Sequence, residues 1–560
     1  MAISRRKFVV STLAGSAVAM VGGAELVSGL TSSASAASPG GDVVGKITVG
    51  YQGWFACIGD GAPIDAWWHW SQNEGQAPSP SNTNIKAWPD MSEYAKGYQT
   101  AFANLNDGQA ATLFSSYDQQ SVNTHFSWMQ QNGCDTAALQ RFNPTGGEGP
   151  TRDAMAVKVR SAAEAYDRKF YIMYDVTGWT TMQTDIKADW TEKMSANTSS
   201  SAYARQNGKP VVCIWGFGFN DSNHPFSAAE CLDVVTWFKD QGCYVVGGVP
   251  TYWRTGVNDS RAGFIDVYHA FDMLSPWMVG RIGDASGSDW FYTNVNVGDV
   301  ADCKANNVDY QPCVLPGDVS ANQRAHGDFM WEQFYNMVRA GSQGIYISMF
   351  DEYGEGNQIA KTAATQAGVP AGSGLLALDE DGTACSTDYY LRLTNDGGRM
   401  LKGEIALTAT RPTQPVVSTT TSSPAPTASA TPTASATPTA TATATAGGCG
   451  MLAANQTFLV NKPVLSCDGR FELVLGGDGN LVLYQGSSAL WAANTVGKGA
   501  VEAVMQGDGN FVLSNSAGKA IWTSGTAGND GAALSVQDDG NVVIYSAAGK
   551  ALWSTGTAGH

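Results

Sequence analysis

Three carboxylates fall within five residues at Asp351-Glu352-Tyr353-Gly354-Glu355. Buried together and ionised they would repel one another, so such a cluster either faces water or raises the proton affinity of one member. A carboxylic acid beside a carboxylate is the equipment for glycosidic cleavage, one group protonating the leaving oxygen while the other deals with the nucleophile. The bland alternative is a solvated loop in which Glu355-Gly356 is only a turn. On an extended strand Asp351 points opposite to Glu352, which makes it a support for the pair.

A second constellation repeats three times near the C-terminal end, about every 31 residues, each copy followed by a Trp at 491, 522 or 553. In the most complete copy Gln537, Asp539, Asn541, Val543 and Tyr545 step by two, so an extended strand places them on one face. A strip of amide, carboxylate, amide, methyl and phenol offers directional partners for hydroxyls and an apolar contact for ring carbons, which is what a sugar edge needs. The second copy has Gln506, Asp508, Asn510 and Val512, with Ser514 in place of Tyr. The first has Asp478, Asn480, Val482 and Tyr484, with Gly476 in place of Gln. Asp-Gly and Gly-Asn also form turns, so a plain β-meander is the alternative, but turn chemistry leaves Gln, Val and Tyr at two-residue steps unexplained.

The elements that must carry the carboxylates lie in residues 43–411, where short apolar runs alternate with stretches of helical period. Strands are expected at 46–51, 135–142, 170–175, 210–215, 243–249, 270–275, 310–315 and 344–350, with helices at 121–131, 152–166, 228–239 and 328–340 among the intervening segments. Eight strands alternating with helices predict a (β/α)8 TIM barrel, the alternative being an open doubly wound sheet; no Gly-x-Gly-x-x-Gly follows the first strand to support the latter. In a barrel the chemistry belongs at the strand ends. Polar and aromatic residues gather there: Tyr51 and Trp54, Asp175, Trp215, Tyr252 and Trp253, Trp277, then Asp351, Glu352 and Glu355. Asp175 reads equally as a rim carboxylate and as a sugar ligand, and Trp215, Trp253 and Trp277 equally as packing. His69, between Trp68 and Trp70, alone of the six histidines looks like part of a site.

With 560 residues the chain exceeds a single core. A net charge of −17 and the lack of a Lys/Arg cluster argue against nucleic acid and anionic membranes, while seventeen Trp and twenty Tyr suit carbohydrate-handling surfaces. Ser4-Arg5-Arg6-Lys7-Phe8 reads as a twin-arginine signal with a cleavage site near Ala34-Ser35-Ala36, so residues 1–36 are an export leader and the mature protein is expected to be secreted. No later segment is apolar for long enough to cross a bilayer. Residues 412–447, mostly Thr, Ala, Pro and Ser, form an uncharged tether reaching at most about 100 Å. Among ten cysteines no Cys-x2-Cys pair suggests zinc; no metal or other cofactor is expected. Cys449 with Cys467, and Cys303 with Cys313, are expected to pair. Cys231 and Cys243 flank a predicted helix and would stand roughly 18 Å apart, too far for a bond.

Two resemblances sharpen this reading. Residues 449–560, through Gln-x-Asp-x-Asn-x-Val-x-Tyr, resemble the bulb-type mannose-binding lectins, which implies a three-fold β-prism II with one shallow mannose site per repeat. There the Asp and Asn meet the axial 2-hydroxyl, the Gln meets O3 and the Tyr meets O4, so the third site should bind best. Residues 46–405, through Gly50-Tyr51-Gln52-Gly53-Trp54, Trp68-His69-Trp70 and Glu352-x-x-Glu355-Gly356, resemble glycoside hydrolase family 99 and its relatives near family 71. That likeness implies Glu352 as the base that activates the substrate's own 2-hydroxyl and Glu355 as the acid, with retention at an α-mannosyl centre. The family's Trp-His and following Thr are here Tyr353-Gly354 and Asn357, so the linkage is not inherited. The expectation is a secreted hydrolase of an α-linked, mannose-containing polysaccharide anchored by its lectin. The alternatives are an α-1,3-glucanase of the family 71 kind and a mannose-binding lectin with a degenerate barrel.

Overall fold

The computed structural model describes residues 38–416 and, apart from short gaps at 453, 455, 459, 461–462, 467–469, 486–487 and 516–517, residues 450–559. The leader, nearly all of the tether, Cys449 and Cys467 lie outside the described residues. The chain divides into two compact units at residues 417 and 418.

In the first unit eight parallel strands run in chain order: β1 Ile47–Tyr51, β2 Thr136–Arg141, β3 Lys169–Asp175, β4 Lys209–Trp215, β5 Tyr244–Val249, β6 Met273–Pro276, β7 in two pieces at Asp309–Tyr310 and Cys313–Val314, and β8 Ile345–Ile347. Every residue of β1, β2 and β5 is buried, as expected of strands packed on both faces. The first piece of β7 pairs with β6, the second with β8, and β8 pairs with β1, so the curled sheet begins and ends on the two pieces of one interrupted strand. The interruption sits at Gln311-Pro312, where proline lacks a ladder N–H; the Gln311 N–H still donates to Leu274 (2.8 Å) and the Pro312 carbonyl accepts from Tyr346 (3.0 Å).

The helices between the strands are α1 Gln119–Gln131, α2 Gly149–Ala165, α3 Met182–Glu192, α4 Ala228–Asp240, α5 Ile265–Ala270, α6 Ala285–Phe291, α7 Val297–Ala305 and α8 Asp328–Ala340, with α9 Tyr389–Leu401 after β8. α4 opens on a reciprocal cap in which the Ser227 hydroxyl accepts the Glu230 N–H and the Glu230 carboxylate accepts the Ser227 N–H. The strand expected at 270–275 starts later, at Met273, because 265–270 forms α5.

The lumen is solid. Alternate residues of each strand fill it, and the gap lined by Tyr171, Met173, Trp215, Trp277 and Tyr346 is too tight for water. Gly50 is required there: a Cβ at this position would lie 2.1 Å from the Tyr346 hydroxyl and 2.5 Å from Met349 Sδ. Gly248 likewise leaves room for the Trp215 indole, whose Cδ1 would be 2.2 Å from an added Cβ. With no space inside, any substrate must meet the barrel at its rim.

One pairing expected from spacing is corrected. Cys303 and Cys313 are separate buried thiols, Cys303 on α7 and Cys313 on β7 beside Tyr346 of β8. All eight cysteines described are free thiols, Cys231 and Cys243 among them.

The second unit holds three four-stranded antiparallel sheets. Each takes three strands from one repeat: 471–475, 481–485 and 488–492; 500–505, 511–515 and 520–523; 533–536, 542–545 and 551–554. The fourth strand of each comes from the segment that precedes the repeats, 464–465, 456–458 and 451–452 respectively. Leu473, Leu483, Phe511, Leu513, Leu534 and Ile544 are in the shared core. Trp491, Trp522 and Trp553 meet edge to face in a triangle, with ring centroids 5.5–5.8 Å apart.

Because the lumen has no slack at Gly50, G50A is expected to lower the thermal midpoint of the first unit, a loss of about 1–3 kcal/mol from overpacking. Nothing lies within 4 Å of a Cβ built at Gly147, and G147A should leave the midpoint close to that of the native chain in the same calorimetric scan.

Candidate functional site

After β8 the chain folds into a closed turn. Met349 N–H donates to Asn357 O (3.1 Å) and Asn357 N–H donates to Glu352 O (3.1 Å), which places Glu352 and Glu355 on one short loop at the barrel rim. Gly356 closes it with φ +72°, and a Cβ there would lie 2.9 Å from Asp318 Oδ1. The loop between β7 and α8 holds this turn from outside. Arg324, 1% exposed and lying over the Tyr390 ring, donates to the carbonyls of Gly317 (3.1 Å), Gly356 (2.7 Å) and Gln358 (2.9 Å). Backbone carbonyls satisfy much of this buried guanidinium, and Glu380 lies near enough to feel its charge.

Asp351 is turned onto β1. Its two oxygens accept the backbone N–H groups of Gln52 and Gly53, both at 2.8 Å. Burial pushes its carboxyl up to about 6, against the pull of those amides and of Arg152. The Gln52 side chain then donates from Nε2 to Glu352 Oε2 at 3.0 Å. Arg152 of α2 fastens the same stretch, donating to the carbonyls of Gln52 (2.8 Å) and Gln140 (3.3 Å) while its Nε meets Glu148 (3.0 Å). Its guanidinium lies over Phe142, Trp68 and Trp54. His69 stacks on Trp54 with centroids 3.7 Å apart, and burial, then Arg152, holds its ring well below the usual histidine range. Glu352 is nearly covered, whereas Glu355 is half-buried and no described residue bonds its carboxylate.

Asp175, Trp215 and Trp277 form the wall at the ends of β3, β4 and β6. Asp175 is opposite Trp215 in the strand register, and Trp215 meets Trp277 edge to face at 5.3 Å. Asp175 accepts both the N–H (3.0 Å) and the hydroxyl (2.5 Å) of Thr177. Other residues singled out from the sequence go elsewhere. Tyr51 is fully buried against α1, its hydroxyl bonded to His125 Nδ1 (2.9 Å), so it offers no surface to a ligand. Trp253 packs on Tyr268 and His269 of α5 at 1% exposure, and Tyr252 is half-buried against Phe291. Arg152, Thr177, His224 and Arg324 were missed in the sequence, and Gln52 stood there only as part of the first-strand motif. Of these only Gln52 carried a signal: it shares the lumen-facing parity of Thr48 and Gly50 and so reaches the rim from β1.

In the second unit each strip has its hydrogen-bonding groups divided in two. Asn541 Oδ1 accepts from Thr555 Oγ1 (2.9 Å), Gly556 N (3.0 Å) and Thr557 N (3.2 Å), while Asp539 Oδ1 accepts Asn541 N (3.0 Å). No described residue uses Asn541 Nδ2 or Asp539 Oδ2, so the strip presents one donor and one acceptor side by side. The same bonds recur at Asp508 and Asn510 (with Ser524 and Thr526) and at Asp478 and Asn480 (with Thr495). The Gln537 amide donates to the Tyr545 hydroxyl (3.1 Å), which orients both. Val543, Tyr545, Val482 and Val512 are buried, Tyr484 is half-buried and Gln506 exposed. A Cβ on Gly476 would lie 2.6 Å from Asp478 Oδ1, so the first strip lacks both the glutamine and the space for one. Thr495, Thr526 and Thr557 were also missed; they recur every 31 residues, each donating its hydroxyl to the glycine carbonyl of its repeat (2.6–2.7 Å).

No family model matches the chain. The curated B-type lectin plumieribetin of Scorpaena plumieri is 36% identical over 69 residues, 12% of this chain, and the chain spans 60% of that protein's length. A monomeric mannose-binding lectin from Gastrodia elata is 35% identical, covering 20% of this chain and 98% of its own, with a TM-score of 0.19. A GH99 endo-alpha-mannosidase from Bacteroides thetaiotaomicron is 13% identical, covering 64% of this chain and 98% of its own, with a TM-score of 0.48. The second unit is thus similar in sequence to part of a curated B-type lectin.

Since Asn541 Oδ1 gathers three donors, N541A is expected to destabilise the second unit by about 1–3 kcal/mol, whereas N541D keeps an oxygen in place and should unfold near the native midpoint. Thermal unfolding of the two variants, followed by the near-ultraviolet signal of the tryptophan triangle, checks this.

Proposed function

We propose that this protein is a glycoside hydrolase that cuts an α-linked, mannose-containing polysaccharide at the barrel rim, and that its second unit is a β-prism lectin that holds the enzyme on mannose-rich surfaces. The observation that carries the reading is the pairing of Glu352 and Glu355 on one hydrogen-bonded turn, with Gln52 bonded to the first and the second left half-open. Glu352 takes the proton of the substrate's 2-hydroxyl. That oxygen attacks C1 as the C1–O bond to the leaving chain breaks and Glu355 gives the departing oxygen its proton. Glu355, now a carboxylate, takes a proton from water, whose oxygen opens the 1,2-anhydro ring at C1, and Glu352 returns its proton to O2. Two displacements at C1 give net retention. The Trp215–Trp277 wall supports a sugar face, and Asp175 a hydroxyl.

For the lectin, the free Asp539 oxygen and Asn541 amide N–H are matched to one hydroxyl, which can donate to the first and accept from the second. The 36% identity to a curated B-type lectin supports the assignment of this unit. The tether converts weak individual contacts into high local concentration of enzyme on its substrate. The twin-arginine leader fits an exported protein whose first unit holds eight buried free thiols and so needs no oxidation to fold.

Purified protein is expected to release new reducing ends from yeast mannan, and neither from α-1,3-glucan nor from a neutral β-glucan. E352Q and E355Q should each lower kcat about 10²–10⁴-fold. Release by the two variants at the native rate would remove the glutamates from the chemistry; no release from any glycan by the native chain would leave a sugar-binding protein with an inert barrel. Mannan pull-down reads the lectin separately: N541D and D539A should each lose most retention while hydrolysis of soluble oligosaccharides stays at the native rate.

A further inference from the structure

A four-member relay runs behind the wall that carries Asp175. Asp221 Oδ1 is 2.8 Å from His224 Nδ1, His224 Nε2 is 3.1 Å from Thr177 Oγ1, and Thr177 Oγ1 donates to Asp175 Oδ1 at 2.5 Å. His224 is 4% exposed, set between Trp215 and Phe219 with centroids 5.6 and 5.1 Å away. Gly216 leaves room for it: an added Cβ would fall 2.9 Å from His224 Cδ2, at φ +120°. Among the described residues, the ionisable groups bonded into the relay beside the ring are Asp221, on the same loop, and Asp175 beyond Thr177; Trp215, Gly216 and Phe219 flank the ring.

Counting hydrogens shows what a complete relay requires. Thr177 has one hydroxyl hydrogen and directs it to Asp175, so its oxygen can only accept from His224 Nε2–H. The Asp221 carboxylate can only accept from Nδ1–H. All three bonds are made at once only when both ring nitrogens carry hydrogen, with an imidazolium between two carboxylates. Remove one proton and a conflict follows. If Nδ1–H stays on Asp221, the bare Nε2 competes with Asp175 for the Thr177 hydrogen; if Nε2–H stays on Thr177, Asp221 faces a lone pair.

We propose that His224, acting through Thr177, is a positioning residue that holds the Asp175 carboxylate in the orientation substrate requires. This deepens the proposed function and rests on it. The consequence is a separation of kinetic constants: breaking the relay raises KM, while kcat follows Glu352 and Glu355.

The full-length protein is used for two measurements. Nitrogen-15 NMR of the histidine rings, with the His224 signals identified by their absence in H224Q, should show the His224 ring nitrogens shifted in T177V and returned to their native positions in T177S. With mannan as substrate, T177V and H224Q should raise KM about tenfold with kcat within about twofold of native, and T177S should keep the native KM. His224 ring signals in T177V that match the native ones, or a KM in T177V equal to that of T177S and native, overturns the proposal. The NMR arm needs no substrate, so failure to hydrolyse any glycan would count against the proposed function, while the ring signals decide the relay by themselves.

Discussion

Asp351 accepts the backbone N–H groups of Gln52 and Gly53, and through this clasp the loop after the last strand of the ring is fastened to the loop after the first. A ring of strands fixes residues well along each strand, but it leaves the loops at its mouth free to diverge. Here the divergence is stopped at the point where the two glutamates stand. Two charge-assisted bonds offset part of the cost of burying the carboxylate, and its raised proton affinity near 6 records the remainder. Gln52, fixed at its backbone by Asp351 and Arg152, is in turn able to hold Glu352 with its side chain. Arg324 does for the far side of the turn what Arg152 does for the near side: each is a buried guanidinium that binds main-chain carbonyls, and so sets where backbone runs.

The strand pattern was legible because parallel strands buried on both faces read as short apolar runs, and all eight were expected within about three residues of where they lie. The seventh was placed but its interruption at Pro312 was not, since pairing on one side of a strand cannot be told from the other in a linear reading. The rim was less legible. Tyr51 has the parity of the outer face of β1 and was assigned to the site by its chemistry; its hydroxyl is used by His125. Gln52, one residue on, has the right parity and was passed over because an amide announces less chemistry than a phenol. Thr177 and His224 belong to loops 47 residues apart, and no local pattern brings them together. The Cys303–Cys313 pairing failed for a related reason: closeness in sequence says nothing of direction when one residue is on a helix and the other on a strand.

In the second unit the repeat was plain, but its division of labour was not. The asparagine of each copy looks like a ligand by type and spacing, yet half of its side chain belongs to the loop fifteen residues later. The threonines that complete this loop recur as regularly as the tryptophans. They went unremarked because a hydroxyl bonded to a carbonyl is the ordinary behaviour of threonine, and only the period distinguishes these three from the rest.

The lacing of the three sheets by residues 451–465 has a consequence for how such a module can change. Each repeat brings three strands and borrows its fourth from a single leading stretch that visits every sheet once. Duplicating a repeat would create a sheet of three strands with no fourth to pair its first, and deleting one would leave part of residues 451–465 without a partner. The number three is therefore written twice, once in the repeats and once in the fifteen residues before them, and neither copy can be edited alone.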